Sequence, residues 1–184
     1  MSQVTELLHR ASAGEAGARE SLFSLLYPDL RNLARSRLRR SERVTLLDTT
    51  SLVHESYLRY MQAHSLAFED RSRFFAFAAS VMHSVVVDEV RKQHAQRRGG
   101  DAVHVELDTG AMDIHLEDGT QILQVHEALS DLALLEPRLA QVVEMRYFAG
   151  LTEAEIALSL GITERTVRRD WDKARTLLFG ALRA

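Results

Sequence analysis

The sequence predicts an all-α protein, and three observations carry that reading. Two Pro and nine Gly in 184 residues are too few for an all-β chain full of tight turns. Apolar residues recur at helical spacing from Phe74 to Val86 and again from Leu139 to Leu178. Cysteine is absent, which excludes disulfide staples and thiolate metal sites, and no apolar run approaches the roughly 18 residues of a membrane span. With 46% apolar and 27% charged residues the chain can bury a core of one large or two small domains. The start, Met1-Ser2-Gln3-Val4-Thr5-Glu6, lacks the basic and apolar regions of a signal peptide, so a cytoplasmic protein is expected.

The first strongly patterned element begins at Phe74. Phe74, Phe77, Ala78, Val81 and Val85 keep helical spacing, while Phe75, Ala79, Met82 and Val86 make the opposite face apolar as well. A helix apolar all round is expected to be largely covered. It runs into the basic stretch Arg91 to Arg98, which suits a phosphate backbone. Just upstream, Phe68 to Phe75 interleaves aromatic rings with Arg71 and Arg73, a mixture suited to stacking unpaired bases and neutralising their phosphates. Core packing explains Phe74 and Phe77 equally well.

The stretch 99–120 holds four Gly, six acids and no basic residue, and it reads as an acidic linker. Alternation of Val103, Val105 and Leu107 leaves a short sheet edge as the competing reading. The formal net charge of −3 hides this unevenness: residues 1–98 carry 15 basic against 11 acidic side chains, and 121–184 carry 8 against 9. Within the last segment, 164–184 holds six basic residues against three acids. Only Lys92 and Lys173 are lysine; Arg suits forked contact with phosphates and guanine edges. Two helical domains, 1–98 and 121–184, are therefore expected on either side of the linker.

In the second domain, Leu139, Val142, Val143 and Tyr147 form one amphipathic helix. Thr152 with Glu155 makes a capping box for the next, which ends at Gly161. Thr163 starts the last helix, in which Val167, Trp171, Ala174 and Leu178 turn inward and leave Arg165, Thr166, Arg168, Arg169 and Lys173 outside. Close crossing through a short turn is the helix-turn-helix arrangement, whose second helix enters a DNA major groove. The competing reading is a plain helical hairpin with a solvated basic face.

Together these residues resemble the extracytoplasmic-function (ECF) sigma factors of bacterial RNA polymerase over nearly the whole chain. The resemblance rests on Leu22-Phe23 with Tyr27-Pro28-Asp29-Leu30-Arg31, on Leu52-Val53-His54-Glu55-Ser56-Tyr57-Leu58-Arg59, on the Phe74 to Arg98 helix and on the terminal helix-turn-helix. It implies that residues 1–98 bind the polymerase β′ clamp and open the promoter's minus-ten element. It implies that 121–184 bind the minus-thirty-five element and the β flap, with the acidic linker threaded through the polymerase. By the same carry-over Arg71, Arg73, Phe74 and Phe75 capture unstacked bases, and Ser84, Asp88, Arg91 and Lys92 face minus-ten DNA. Many family members have Asn where Ser84 stands. Thr163, Glu164, Arg165, Thr166, Arg168 and Arg169 would face the minus-thirty-five groove, and Asp48, Thr50, Ser51, Glu55 and Arg59 the clamp.

One departure suggests a switch. Family members usually carry Asp-Ala-Glu-Asp before the Leu-Val-x-Glu helix; here the run is Asp48-Thr49-Thr50-Ser51, two negative charges short. A phosphate carries about −1.5 to −2 charges, close to the deficit, so a Ser/Thr kinase acting on Thr49, Thr50 or Ser51, and foremost on Thr50, is expected to activate docking. The competing reading is that Thr and Ser stand there as helix caps. An anti-sigma partner is left open.

Enzymatic readings fail on spacing. His54-Glu55 begins like a zinc-protease helix, but Leu58 stands where the second His is required. No cofactor is expected. A helix-turn-helix regulator that binds duplex operators without polymerase explains 121–184 but leaves 68–98 without a purpose, and a module that only sequesters regulators needs no basic recognition face.

Overall fold

The computed structural model describes residues 3–39, 47–63, 67–97 and 119–183, and all regular structure among them is helical. In chain order the elements are α1 (Gln3–Ser12), α2 (Ala18–Arg39), α3 (Thr49–Gln62), α4 (Arg71–Arg97), α5 (Gly119–Leu135), α6 (Pro137–Val143), α7 (Glu153–Leu160) and α8 (Glu164–Arg183). The acidic linker and its sheet-edge alternative fall outside the described residues, except that Gly119 and Thr120 already belong to α5.

Helix α2 buries Leu22, Leu26, Leu30, Ala34 and Leu38, a strict four-residue stripe that lays one side of the helix on the core. Asp48 starts α3: its Oδ1 accepts from the Thr50 and Ser51 amides at 2.8 and 2.9 Å. Two amides that a helix start leaves without carbonyl partners are thereby satisfied. The aromatic cluster beside α3 closes that end of the core, with Phe74 edge-on to Tyr60 and to Phe68 at 5.7 and 5.5 Å between ring centres.

Helix α4 is the hub. One side, with Phe74, Ala78, Met82, Val85 and Val86, packs on Leu22, Leu26, Leu30, Leu52 and Val53 of the amino-terminal half. The other side presents small residues to the carboxy-terminal half. Ala79 packs among Leu129, Leu132, Leu139, Phe148 and Ala174, while Ala76 joins Val142, Met145, Ile156 and Val167. Two helical units on either side of a linker were the expectation. Residues of both halves pack on α4, since a helix apolar on both faces exposes too much surface when only one is covered.

Helix α6 runs without a break into a single π-helical turn, Glu144–Phe148, closed by the Ala149 amide donating to the Glu144 carbonyl at 2.9 Å. This wider turn carries Phe148 to the seam between the halves, where it meets His83 at 4.5 Å between rings. The helix-turn-helix follows as expected: Thr152 and Glu155 form the capping box, and Gly161 ends α7 at φ 65°, a left-handed geometry that costs other residues more. Thr163 caps α8, its Oγ1 accepting from the Thr166 amide at 3.2 Å.

Candidate nucleic-acid interface

The outer face of α8 is basic because Val167, Asp170 and Ala174 take the inner stripe, leaving Arg165, Arg168, Arg169 and Lys173 exposed. Of the predicted groove-facing set, Thr163, Glu164, Arg165, Arg168 and Arg169 are exposed and Thr166 is half-buried beneath the Thr163 cap. Glu153, at the start of α7, accepts from Arg168 and, at 3.0 Å, from Arg146. Arg146 in turn lies 4.8 Å over the Trp171 ring. The Arg168 bond, before all else, holds the Glu153 carboxyl below the usual range. Arg168 is thus aimed from α7 as well as from its own helix.

The minus-ten candidates separate into three groups. Phe74 and Phe75 are buried, with rings packed edge-on against neighbours, so in this packed form they offer no face for a base to stack on. Arg71 is exposed, bonded to Asp29 at 2.8 Å and lying 4.5 Å over the Phe75 ring. Arg73 is half-buried and turned toward the other half, where Nε and Nη2 donate to the Ser159 carbonyl at 3.2 and 2.9 Å. Ser84, Asp88 and Arg91 lie along the same side of α4 as Arg73, and Arg91 and Lys92 are exposed at its basic end.

Arg59 was assigned to polymerase docking, yet its guanidinium reaches across to Ser84 at 3.1 Å and Asp88 at 2.7 Å. It braces α3 against α4. Glu55 is exposed one turn before it. At the start of α3 the three hydroxyls differ: Ser51 Oγ donates to Asp48 Oδ2 at 3.0 Å, Thr49 is half-buried, and Thr50 is exposed on the wall of a groove shared with Glu20, Phe23, Tyr27, His54 and Tyr57. The Ser51 bonds, followed by the Thr50 amide, keep the Asp48 carboxyl below its ordinary range.

Several polar side chains that sequence reasoning passed over lie buried or half-buried. Arg37 follows Ala34 by three residues on the inner stripe of α2, and it is only 7% exposed. It donates to His83 Nδ1 at 3.1 Å and lies 4.1 Å over the Phe148 ring. His83 Nε2 faces His126 Nδ1 at 3.3 Å. Glu144 is bonded to Ser80, and burial raises its carboxyl pKa. Asp170, on the inner stripe of α8, binds Arg138 at 2.7 Å. A polar residue inside an apolar stripe was the available signal in each case.

Among the described residues no helix is long and apolar enough to cross a membrane. No curated protein and no solved structure gives a match. The model of the family described as ECF sigma factor matches residues 1–184. Since that match runs from end to end of a chain with a basic helix-turn-helix and an all-helical fold, the protein belongs to the ECF sigma factor family and is a transcription initiation factor.

Proposed function

We propose that this sigma factor docks on core RNA polymerase through the α2–α3 groove, reads the minus-thirty-five element with α8 and the minus-ten element with the polar side of α4, and is switched on by phosphorylation of Thr50. Family membership supplies the polymerase and the promoter as partners. The exposed Arg165, Arg168 and Arg169 support a phosphate- and base-contacting role for α8. The set carried to minus-ten DNA is Arg71, Arg73, Phe74, Phe75, Ser84, Asp88, Arg91 and Lys92, of which Phe74 and Phe75 are buried in this packed form. The clamp-facing set is Asp48, Thr50, Ser51, Glu55 and Arg59, of which Arg59 is bonded to Ser84 and Asp88 within the chain.

The observation that carries the switch is the unequal engagement of three neighbouring hydroxyls. Asp48 already caps α3 and holds Ser51, so capping does not require Thr50, whose side chain faces solvent at the groove. A phosphate there sits in the first turn of α3, where the helix dipole favours an anion. It restores charge in a docking surface two negatives short and offers its oxygens to arginines of the partner. One regained contact of about 1.4 kcal/mol changes affinity tenfold. A Ser/Thr protein kinase is the implied further partner, and an anti-sigma factor is not required.

Recovery of core polymerase on immobilised wild-type and Thr50→Glu protein tests this reading, with transcription from a candidate promoter as the second readout. The variant is expected to retain about tenfold more polymerase and to raise transcript in proportion. Equal retention removes the switch; absence of transcript with either protein removes the promoter assignment.

A further inference from the structure

Thr50 and His54 are both exposed on α3 and line the same groove. They stand four residues apart, and on a helix that spacing puts two side chains on one face, about 5–6 Å apart at Cβ. Side chains tilt toward the helix N-terminus, so the later member of such a pair leans back over the earlier one.

A phosphate at Thr50 enters surroundings that are already negative. Transfer of the γ-phosphoryl group of ATP to Thr50 Oγ1 releases ADP and the hydroxyl proton, and it leaves an ester of about −1.5 to −2 charges. Asp48 is an exposed carboxylate whose Oδ1 accepts from the Thr50 amide at 2.8 Å. From α2, Glu20 lines the groove, and on α3 Glu55 is exposed beside His54. Like charges this close oppose the second ionisation of the ester. Arg19, next to Glu20, is turned away: it donates to the Ala63 carbonyl at 2.8 Å and lies over the Tyr60 ring. Helix α4, on another side of α3, pairs Asp88 with Arg59, and none of the residues lining the groove comes from it. Tyr27 and Tyr57 complete the lining with rings. Among the described residues that line the groove, His54 is the one nitrogen base.

We infer that His54 is the in-chain counter-ion of phosphorylated Thr50. This rests on Thr50 being the modified hydroxyl. The imidazolium donates to a phosphate oxygen, a charge-assisted bond that holds the ester on the groove side of α3 and offsets Asp48 and Glu20. Phosphate esters and imidazoles ionise in the same range, about 6 and 6.5, so dianion and imidazolium form as a coupled pair. The ester then keeps its full charge at a lower pH than its acidic neighbours alone allow. His54 is a positioning residue: it acts on docking through the phosphate. Spacing also separates the hydroxyls, since Thr49 is five residues from His54 and off its face, and the Ser51 hydroxyl is held by Asp48.

Full-length protein carrying a phosphate ester on Thr50, installed during translation with an expanded genetic code, is titrated by phosphorus NMR, beside the same protein with His54→Gln or His54→Lys. His54 is exposed, so neither substitution touches the core. The second ionisation is expected about half a pH unit lower with His54 than with Gln, the size of an exposed ion pair, and high salt is expected to narrow the gap. Lys, cationic throughout, is expected to restore the lower midpoint. Equal midpoints with His54 and Gln overturn the inference, and so does a Lys variant that titrates like Gln. Recovery of core polymerase on the same phosphorylated proteins separates the two readings. A lowered midpoint without more polymerase than the unmodified protein retains defeats the docking switch alone, whereas more polymerase with equal midpoints defeats the counter-ion alone.

Discussion

Arg37 donates to Nδ1 of His83 across 3.1 Å, in the buried seam between the two halves. Guanidinium has no acceptor, so Nδ1 must carry the lone pair and the His83 proton must sit on Nε2, directed at His126. Burial, then the Arg37 charge, then His126 push the His83 pKa down to about 3. Burial, then Arg91, lowers His126 as well.

Acid should therefore loosen the fold. The unfolded chain protonates His83 near its ordinary value of 6.5 and the folded chain only near 3, so this contribution is complete above about pH 6.5 and is lost as the pH falls toward 3. Each pH unit in that window removes up to ~1.4 kcal/mol. Glu144, whose pKa is raised by burial, acts with the opposite sign and offsets part of the loss. Denaturant unfolding at pH 7 and pH 5 is expected to show a lower midpoint at pH 5, and His83→Gln, which keeps an acceptor for Arg37, is expected to flatten the difference. A wild-type midpoint that does not change between the two would contradict the buried neutral His83.

Asp170 is 2% exposed and binds Arg138, whose side chain is half in solvent. Asp170→Asn keeps the shape of α8 but removes the charge, and about 1.5–3 kcal/mol of stability is expected to go with the charged hydrogen bond. Thermal melting checks this. Arg138→Ala is expected to cost as much or more, since it leaves a buried carboxylate without its strongest partner.

Gly161 holds φ 65°, and a Cβ built there meets nothing within 4 Å. The cost of Gly161→Ala is then purely conformational, about 1–2 kcal/mol. A melting curve of the variant should show that loss while its affinity for promoter DNA at 25 °C stays within twofold of wild type.

Arg165 and Arg168 differ in how they are held, although both are exposed on α8. Arg168 is anchored to Glu153, whereas Arg165 is exposed in the first turn of α8. Arg165→Ala is expected to cost about 1–3 kcal/mol on the preferred promoter and to relax sequence preference at one position. Glu153→Gln releases Arg168 without removing it, and is expected to weaken binding more evenly across sequences. Anisotropy titrations of matched promoter variants with the holoenzyme separate the two patterns.

Removing Asp48 tests the cap apart from docking. Asp48→Ala leaves the Thr50 and Ser51 amides without their side-chain acceptor and is expected to lower stability by about 1 kcal/mol. Thr50→Ala removes an exposed hydroxyl and is expected to leave the melting temperature within a degree or two, so the two substitutions distinguish a structural cap from a regulatory hydroxyl.

The helix-turn-helix could be read from the chain almost residue by residue: Thr152, Glu155, Gly161 and Thr163 stand at its caps, as their spacing implies. Capping and helical periodicity act over three to seven residues, so the linear order contains them. The basic outer face of α8 followed for the same reason. Phe74 and Phe75 show the opposite case, since an aromatic next to an arginine reads equally as a stacking platform or as core until packing decides.

What the amino-acid order settled without coordinates was that α4 is apolar on both faces and needs cover on both. Which segment covers the second face was settled only by the fold, because α5, α6, α7 and α8 all follow it in the chain and the outcome depends on the fit of Ala76 and Ala79 to their surfaces. The partners of Arg37, Arg59 and Arg73 belong to the same class. A long charged side chain reaches any of several acceptors, and only the docked helices bring His83, Asp88 or the Ser159 carbonyl within bonding distance.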